Sequence, residues 1–295
     1  MSSTTAGSHQ TLKTILDAAA GYLAAKGVEE ARLICELLAA RLLRCRRLEL
    51  PLKYDLVLDE KLVEAMRRGV RRVAAGEPVQ YVLGETEFLG HVFKVDPRAL
   101  IPRPETELLV ERVLGCAPLW QNPKPRIVDV GTGCGCIVIS LALARPAAVY
   151  AALDVSDAAL ALARENALRH GVAERIGFAR EELADFVDPG TVDAIVANLP
   201  YIPTAEIAKL PVHIRDHEPR EALDGGPDGL AHISALVEDA AIALKPGGFL
   251  FLEIGHDQRE RVQKLMEQVG FERITVTKDL AGHDRVVEGV LGASE

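Results

Sequence analysis

The sequence lacks the features that define several large classes of protein. Its longest apolar runs fall far short of the roughly 20 residues that a membrane-spanning helix needs. Its five cysteines have neither a disulfide framework nor the spacing of zinc ligands, and the close pair Cys134 and Cys136 is interpreted as small-residue filler around a turn. We therefore expect no membrane segment, no bound metal and no disulfide framework, and free thiols indicate the cytoplasm.

Positive charge and aromatic residues are also scarce. The formal net charge is −9, and aromatic residues make up 4% of the 295-residue chain. Stable binding of bare nucleic acid usually relies on basic contacts to phosphates and on stacking, so both values argue against it. The first ten residues contain no arginine and no apolar core, so we expect neither a signal peptide nor a transit peptide.

One region departs from this acidic average. Between Arg41 and Arg72 the chain has ten basic and five acidic residues. Such a stretch is consistent with ordinary solvated helix faces or with a docking surface for an acidic protein partner. The sequence leaves both interpretations open.

Hydrophobic periodicity divides the chain into two main parts. Three helical patterns lie between residue 10 and about residue 85, and the first is marked by Leu12, Ile15 and Leu16. The extended segment from Phe88 to Val95, with Gly90 inside it, predicts a hairpin. From about residue 100, strands and helices alternate as in a doubly wound α/β sheet. We expect a helical bundle domain at residues 1–85, a β-hairpin connector at 86–100 and a sheet domain at 101–295.

A strand, a glycine-rich turn and a helix follow one another early in the sheet domain. The run from Arg126 to Val130 leads into Gly131-Thr132-Gly133-Cys134-Gly135-Cys136, and an apolar helical segment follows. Glycines let a ligand approach the backbone, and the helix N-terminus presents N–H donors. The third glycine comes one residue too early for a dinucleotide fingerprint, and Asp129 would repel a pyrophosphate. The Asp129 carboxylate instead suits a cofactor with an ammonium group.

Acidic residues follow the next two predicted strands. The strand that ends at Leu153 is followed by Asp154, which is placed to accept both hydroxyls of a ribose. The strand that ends at Ala179 leads to Glu182 and Leu183, where an acid could accept an adenine amino hydrogen and a leucine could pack on the ring. The carboxyl ends of parallel strands meet at one edge of a sheet, so these residues predict a single pocket. Together they indicate a site for S-adenosylmethionine.

The tetrapeptide Asn198-Leu199-Pro200-Tyr201 follows the predicted buried strand at residues 192–197. The Asn198 side-chain oxygen and the Leu199 carbonyl can accept the two hydrogens of a planar NH2 group, while the Tyr201 ring covers its face. Pro200 restricts Leu199 to extended conformations and so gives that carbonyl a defined direction. These two hydrogen bonds would orient a weakly nucleophilic amide nitrogen toward an electrophile and stabilise the positive charge that develops on it. A polar strand end followed by an ordinary turn is the alternative interpretation.

With these motifs the chain resembles the release factor glutamine methyltransferases (the PrmC/HemK family) from roughly residue 10 to residue 292. Besides the glycine loop and the tetrapeptide, the resemblance includes Gly76-Glu77-Pro78-Val79-Gln80-Tyr81-Val82-Leu83-Gly84, Leu100-Ile101-Pro102-Arg103-Pro104-Glu105-Thr106-Glu107 and His217-Glu218-Pro219-Arg220-x-Ala222-Leu223-Asp224-Gly225-Gly226. The segment from Ile101 to Glu107 is the most family-specific, whereas the glycine loop is shared by many methyltransferases. Leu199 stands where this family usually has proline, and Asn-Leu-Pro-Tyr resembles the tetrapeptide of rRNA adenine dimethyltransferases.

The resemblance implies a seven-stranded Rossmann-like methyltransferase sheet with a reversed last strand, preceded by a small helical domain for substrate recognition. It implies methyl transfer from S-adenosylmethionine to the side-chain nitrogen (N5) of the GGQ-loop glutamine in peptide-chain release factors, with S-adenosylhomocysteine as product. Arg103, Glu105 and Phe88 would lie where the two domains meet, either contacting substrate or cofactor or forming an interdomain salt bridge and an aromatic core contact. We expect a monomer.

Two other functions compete with this interpretation. The exocyclic amine of adenine or cytosine presents the same planar NH2 group, so the tetrapeptide also permits an N6-adenine or other amino methyltransferase that acts on RNA or DNA. The low positive charge disfavours that substrate. A noncatalytic cofactor-binding or assembly protein is the third hypothesis, and the intact tetrapeptide disfavours it.

Overall fold

The structure is a computed structural model that describes residues 11–293, and the chain divides into two compact units. The first unit extends to Gly84 and includes the returning segment Val212–His217, whereas the second comprises Glu85–Pro211 and the chain from Glu218 onward. The first ten residues, for which the sequence predicts neither a signal nor a transit peptide, lie outside the described residues. The predicted domain boundaries did not anticipate the returning segment.

The helices and strands alternate in type only after the first unit. In chain order they are α1 (Leu12–Ala25), α2 (Ala31–Leu43), α3 (Glu60–Ala74), α4 (Val79–Leu83), β1 (Glu85–Phe88), β2 (His91–Lys94), α5 (Pro104–Gly115), β3 (Arg126–Val130), α6 (Cys136–Ala144), β4 (Val149–Leu153), α7 (Asp157–Arg169), β5 (Ile176–Ala179), α8 (Leu183–Phe186), β6 (Val192–Ala197), α9 (Val212–Arg215), α10 (Ala231–Ala243), β7 (Leu244–Glu253), α11 (Arg259–Gln268), β8 (Phe271–Lys278) and β9 (Asp284–Leu291).

The first unit is a small helical cluster. Its core gathers the apolar faces of α1, α2 and α3, in which Leu16, Leu23 and Cys35 are fully buried. Thr11 and Asp59 begin α1 and α3, and each accepts a backbone N–H with its side-chain oxygen, as N-cap residues do. The three predicted helices are present, whereas the five-residue α4 is too short to show a periodic pattern.

The second unit contains, within the part of the chain that the structure describes, a β1–β2 hairpin and a seven-stranded sheet of order β5-β4-β3-β6-β7-β9-β8. Neighbouring strands from β5 to β7 are parallel, and β9 runs antiparallel to β7 and β8. The strand order reverses between β3 and β6, and in such sheets a ligand binds outside the carboxyl ends at that point. The predicted doubly wound, seven-stranded fold with a reversed last strand is confirmed.

The central strands are apolar on both faces because helices cover both. In β6, Val196 faces a core built with α5, α6 and α7, and Ile195 faces a second core built with α10 and α11. Both side chains are fully buried, as expected for parallel strands enclosed by helices. Within residues 11–293, no helix combines the length and the apolar character needed to cross a membrane.

Element ends differ from the sequence pattern by a few residues. The hairpin begins at Glu85 rather than Phe88, because the polar residues that open β1 give no apolar signal. Asp157 is the first residue of α7 rather than its N-cap. Ser156 is the N-cap, since its hydroxyl accepts from Ala159 N at 3.2 Å while its own N–H is held by Asp154.

Candidate active site

A cavity of about 320 Å³ lies at the carboxyl ends of β3, β4 and β6, beside the reversal in strand order. Its volume is typical of a small-molecule site. The residues predicted to form the site that line this cavity are Arg103, Gly131, Thr132, Gly133, Cys134, Asp154, Glu182, Leu183, Asn198, Leu199 and Pro200. The structure therefore brings most of the predicted cofactor and substrate residues together in one place.

The glycine loop is held to the end of β4 by backbone hydrogen bonds. The N–H groups of Gly131 and Thr132 both donate to the Leu153 carbonyl, each at 2.9 Å. Gly131 has a φ of +73°, and a methyl group added to its Cα would lie only 2.8 Å from Leu199 Cδ2. The backbone conformation thus favours glycine at this position, and an added methyl group would also make the Leu199 side chain shift.

Asn166 on α7 braces the glycine loop from below. Its side chain is fully buried, and its Nδ2 donates to the carbonyl of Cys134 at 2.9 Å and to that of Lys94 at 3.0 Å. Its Oδ1 accepts from the Lys94 N–H at 2.8 Å. One side chain therefore ties the loop to the hairpin and to α7, which keeps the loop conformation fixed.

Asp154 follows β4 and lines the cavity. Its two oxygens accept from the N–H groups of Gly133 and Ser156, each at 2.9 Å. A carboxylate oxygen has a second lone pair, so both can still accept from a ligand hydroxyl. Burial raises the pKa of the Asp154 carboxyl above its ordinary value, and the two N–H donors partly offset that effect. This geometry fits a ribose with two adjacent hydroxyls.

Asp129 lies beneath the glycine loop and does not line the cavity. Its side chain is fully buried, and burial raises the pKa of its carboxyl to about 7, although the Thr132 hydroxyl and the Val138 N–H at the start of α6 lower it. Oδ2 accepts from the Thr132 hydroxyl at 2.7 Å, whereas Oδ1 has no hydrogen-bond partner among residues 11–293. Because a buried, unpaired carboxylate oxygen is costly, a cation nearby would stabilise it. Asp129, which the sequence predicts to bind the ammonium group of the cofactor, is therefore placed to act through its charge and not by direct contact.

The charge of the cavity wall also selects among ligands. Five acidic side chains line it, namely Asp154, Glu181, Glu182, Glu221 and Asp239, against two arginines, Arg98 and Arg103. An acidic excess attracts a cation and repels a pyrophosphate. The wall therefore fits a sulfonium cofactor that also carries an ammonium group.

Asn198 at the end of β6 belongs to a chain of buried hydrogen bonds. Its Nδ2 donates to the Thr106 hydroxyl oxygen at 3.0 Å, and that hydroxyl donates to Glu253 Oε2 at 2.6 Å. The Tyr201 hydroxyl donates to Glu253 Oε1 at 3.4 Å. The amide of Asn198 is thus held by its nitrogen end, and its oxygen end is directed away from Thr106.

Several predicted site residues lie elsewhere. Phe88 is buried in the sheet core, where its ring meets that of Phe93 edge to face with centroids 6.1 Å apart. Glu105 is exposed on the first turn of α5, and Gly135 is the N-cap of α6 behind the cavity wall. Tyr201, the last residue of the tetrapeptide, is half-buried and does not line the cavity, so the ring is not the covering wall that the sequence predicts.

Arg103 forms a salt bridge, but not the interdomain one that the sequence suggested. Its Nη2 donates to Glu218 Oε1 at 2.5 Å, and Glu218 Oε2 accepts from the Ile101 N–H at 3.0 Å. Arg103 and Glu218 belong to the same unit. The bridge therefore fixes a cavity-lining guanidinium within the second unit.

Sequence reasoning missed two groups of residues. Thr106 and Glu253 hold Asn198, and Thr106 stands in a segment that carries the family resemblance. His232, Leu236 and Asp239 on α10 also line the cavity. Glu253 could have been found, because it is an acid at the carboxyl end of the strand next to β6, whereas the α10 residues carry no local motif.

The sheet order, the glycine loop and the acidic strand ends define a Rossmann-like methyltransferase. Family models match the chain as a PrmC N-terminal domain at residues 14–84 and as a methyltransferase small domain at residues 106–213. A release factor glutamine methyltransferase of Geobacter sulfurreducens is 41% identical over 282 residues, covering 96% of this chain and 97% of that protein. One of Moorella thermoacetica is 43% identical over 279 residues, covering 93% and 96%.

Among solved structures, a release factor-specific protein-(glutamine-N5) methyltransferase of Alicyclobacillus acidocaldarius is 33% identical, with a TM-score of 0.41, over 68% of this chain and all of that one (100%). The full-length relatives decide the assignment. The chain belongs to the family of release factor glutamine methyltransferases, which confirms the resemblance found in the sequence.

Proposed function

We propose that this protein transfers a methyl group from S-adenosylmethionine to the side-chain amide nitrogen of a glutamine in a peptide-chain release factor. The observation that carries this proposal is the position of Asn198, whose amide lies in the wall of the same cavity as the glycine loop and Asp154. The names of the full-length relatives support a release factor glutamine as the acceptor.

The cofactor half of the cavity is formed by the glycine loop and the strand ends beside it. When bound, S-adenosylmethionine supplies a methyl group on a positively charged sulfur and leaves as S-adenosylhomocysteine. Asp154 accepts the ribose hydroxyls, Glu182 accepts an adenine amino hydrogen and Leu183 packs on the ring. Asp129 stabilises the cationic end of the cofactor by charge from beneath the loop.

The acceptor half holds the glutamine amide. Asn198 Oδ1 and the Leu199 carbonyl each accept one of its N–H hydrogens, and this grip orients the nitrogen toward the methyl group. Both acceptors also stabilise the positive charge that develops on nitrogen during attack. The methylated nitrogen then loses its extra proton to water, since a protonated amide is very acidic. Tyr201 supports this half from behind through its bond to Glu253.

The helical unit is the proposed recognition domain for the release factor. Exposed arginines on the outer face of α3 supply much of its positive charge, but Arg67 and Arg71 pair with Glu64, and Arg72 pairs with Glu77. These local pairs favour ordinary solvated faces over a strongly basic docking surface. We therefore propose recognition by shape and apolar contact more than by charge, with the protein acting as a monomer and without stable nucleic-acid binding.

A competition assay tests the proposed function. Purified release factor and total RNA are offered together to the enzyme with radiolabelled S-adenosylmethionine, and peptide mass spectrometry locates the label. We expect label on one glutamine of the release factor and none in a matched release factor with that glutamine replaced by alanine. Label confined to RNA would contradict the proposal and favour an exocyclic amino group as substrate.

A further inference from the structure

We propose that Thr106 and Glu253 are positioning residues that determine which end of the Asn198 amide faces the cavity. This inference rests on the proposed function, because it assigns these residues to the same methyl transfer. Both side chains are almost fully buried, with exposures of 2% and 1%. Burial makes a hydrogen-bond mismatch between them costly, so the chain of bonds has one favoured direction.

The direction of these hydrogen bonds is set by Glu253. An ionised carboxylate can only accept hydrogen bonds, and the Thr106 hydroxyl has one proton to donate. That proton is directed to Glu253 Oε2, at the short distance of 2.6 Å. Thr106 therefore offers only oxygen lone pairs to Asn198, and these match the NH2 end of the amide at 3.0 Å.

The consequence for Asn198 follows from the shape of an amide, whose oxygen and nitrogen lie on different sides of one carbon. Exchanging the two ends would set Oδ1 against the lone pairs of Thr106 and would lose the hydrogen bond. It would also turn NH2 toward the cavity, where the substrate amide needs an acceptor. The bond to Thr106 thus selects the acceptor end for catalysis.

The charge on Glu253 is set by its surroundings. Burial raises the pKa of this carboxyl to about 7, the Thr106 bond and the positive charge of Arg285 lower it, and the nearby carboxylate of Glu105 raises it. The Tyr201 hydroxyl also faces Glu253, and the Cys136 thiol lies close enough to feel its charge. Protonated Glu253 can donate to Thr106, whose hydroxyl is then free to donate to Asn198 Oδ1. At low pH the hydrogen bonds from Glu253 through Thr106 to Asn198 can therefore run in the opposite direction, which does not support catalysis.

Paired variants of Thr106 provide the first test. Thr106→Val keeps the shape of the side chain and removes the hydroxyl, and we expect kcat for release factor methylation to fall about tenfold. The Kd of S-adenosylmethionine, measured by calorimetry, should change less than threefold. Thr106→Ser restores the hydroxyl and should recover most of kcat. Ser140→Ala is the matched control, since it removes a buried hydroxyl that has no partner within residues 11–293 and does not line the cavity.

The pH profile of Glu253→Gln provides the second test. The glutamine oxygen can still accept from Thr106, so we expect kcat at pH 8 to stay within about tenfold of wild type. In the wild type, kcat at saturating cofactor should fall as pH drops through about 7, the pKa of the Glu253 carboxyl. Glu253→Gln should not show this fall in kcat at low pH. Saturating cofactor separates the effect from Asp129, whose titration acts on cofactor binding.

The outcomes distinguish this inference from the proposed function. If the wild type is active on release factor and Thr106→Val keeps the wild-type kcat, the inference alone is overturned. The same holds if the fall in kcat at low pH is unchanged in Glu253→Gln. A wild type inactive on release factor overturns the proposed function and this inference with it. Thermal unfolding is followed for every variant, and if Thr106→Val is unfolded at the assay temperature, the profile of Glu253→Gln decides.

Discussion

The two halves of the cavity are built in different ways. The cofactor half comes from one continuous stretch, residues 129–136, plus the ends of the next two strands. The acceptor half joins Asn198 to Thr106, 92 residues away, and Thr106 to Glu253, 147 residues away. The first is held mainly by hydrogen bonds from its backbone to the neighbouring strand end, and the second by side chains from three distant elements that are bonded in series. Changes in the cofactor half should therefore alter affinity and stability, whereas changes in the acceptor half should alter turnover.

Asn198→Ala should give the largest effect and confine it to turnover. It removes one of two acceptors for the developing charge, so we expect kcat to fall by roughly 10²–10³-fold, by analogy with loss of one stabilising group in an oxyanion hole. The Kd of the cofactor should change less than threefold. Steady-state kinetics with release factor and calorimetry with cofactor measure the two effects. A large loss of cofactor affinity would show that the two halves are not separate.

Asp154→Ala should give the converse pattern. It removes an acceptor for two ribose hydroxyls and releases the N–H groups of Gly133 and Ser156. We expect the Kd of S-adenosylmethionine to rise roughly thirtyfold to hundredfold, since hydrogen bonds to charged groups contribute about 1.5–3 kcal/mol. At saturating cofactor, kcat should fall much less than in Asn198→Ala. Unchanged affinity would remove Asp154 from the cofactor site.

Gly131→Ala tests the contact at which the two halves meet. Its added methyl group would lie 2.8 Å from Leu199 Cδ2, so Leu199 must move. Gly171→Ala is the matched control, because Gly171 has a similar φ of +70° and an added methyl group meets nothing within 4 Å.

Both glycine variants should lose about 1–2 kcal/mol of unfolding free energy from backbone strain. Only Gly131→Ala should also lower kcat, by about threefold, because the Leu199 side chain next to the acceptor carbonyl must shift. Urea unfolding and steady-state kinetics measure the two quantities. Equal turnover in the two variants would show that the Leu199 contact has no role in catalysis.

Asp129→Asn should give the smallest effect, on the pH dependence of stability. The folded-state pKa of this carboxyl is raised to about 7 from an ordinary value of 3.8, so the folded protein binds more protons than the unfolded chain between these values. The free energy of unfolding should therefore fall as pH rises toward and through the folded-state pKa, by about 1.4 kcal/mol between pH 6 and pH 8 for one such group. Glu253 contributes in the same direction.

Asparagine at position 129 cannot titrate, so Asp129→Asn should lose about half of the slope of unfolding free energy against pH that Asp129 and Glu253 together give the wild type. Unfolding in urea at pH 6, 7 and 8 measures the slope. An identical slope in the wild type and in Asp129→Asn would indicate that Asp129 keeps an ordinary pKa.

The same contrast explains what could be predicted from the sequence. The glycine loop, Asp154 and Asn198 were predictable because each is a local motif at a strand end, and the strand ends meet by topology. Thr106 could not be placed by pattern, since its role depends on an acid 147 residues away. The position of Phe88 was also not predictable, because a hairpin aromatic can pack inward or toward a ligand with the same local sequence.

Asn166 has a consequence beyond the cofactor site. Its amide accepts from the N–H of Lys94 and donates to the carbonyl of the same residue, which is the pair of bonds that a residue of an adjoining strand would make. His170 Nε2 lies 3.1 Å from the Val92 carbonyl oxygen farther along β2. The outer edge of β2 is thus closed by side chains of α7, which protects this strand from pairing with an extended segment of another molecule and so from edge-to-edge aggregation.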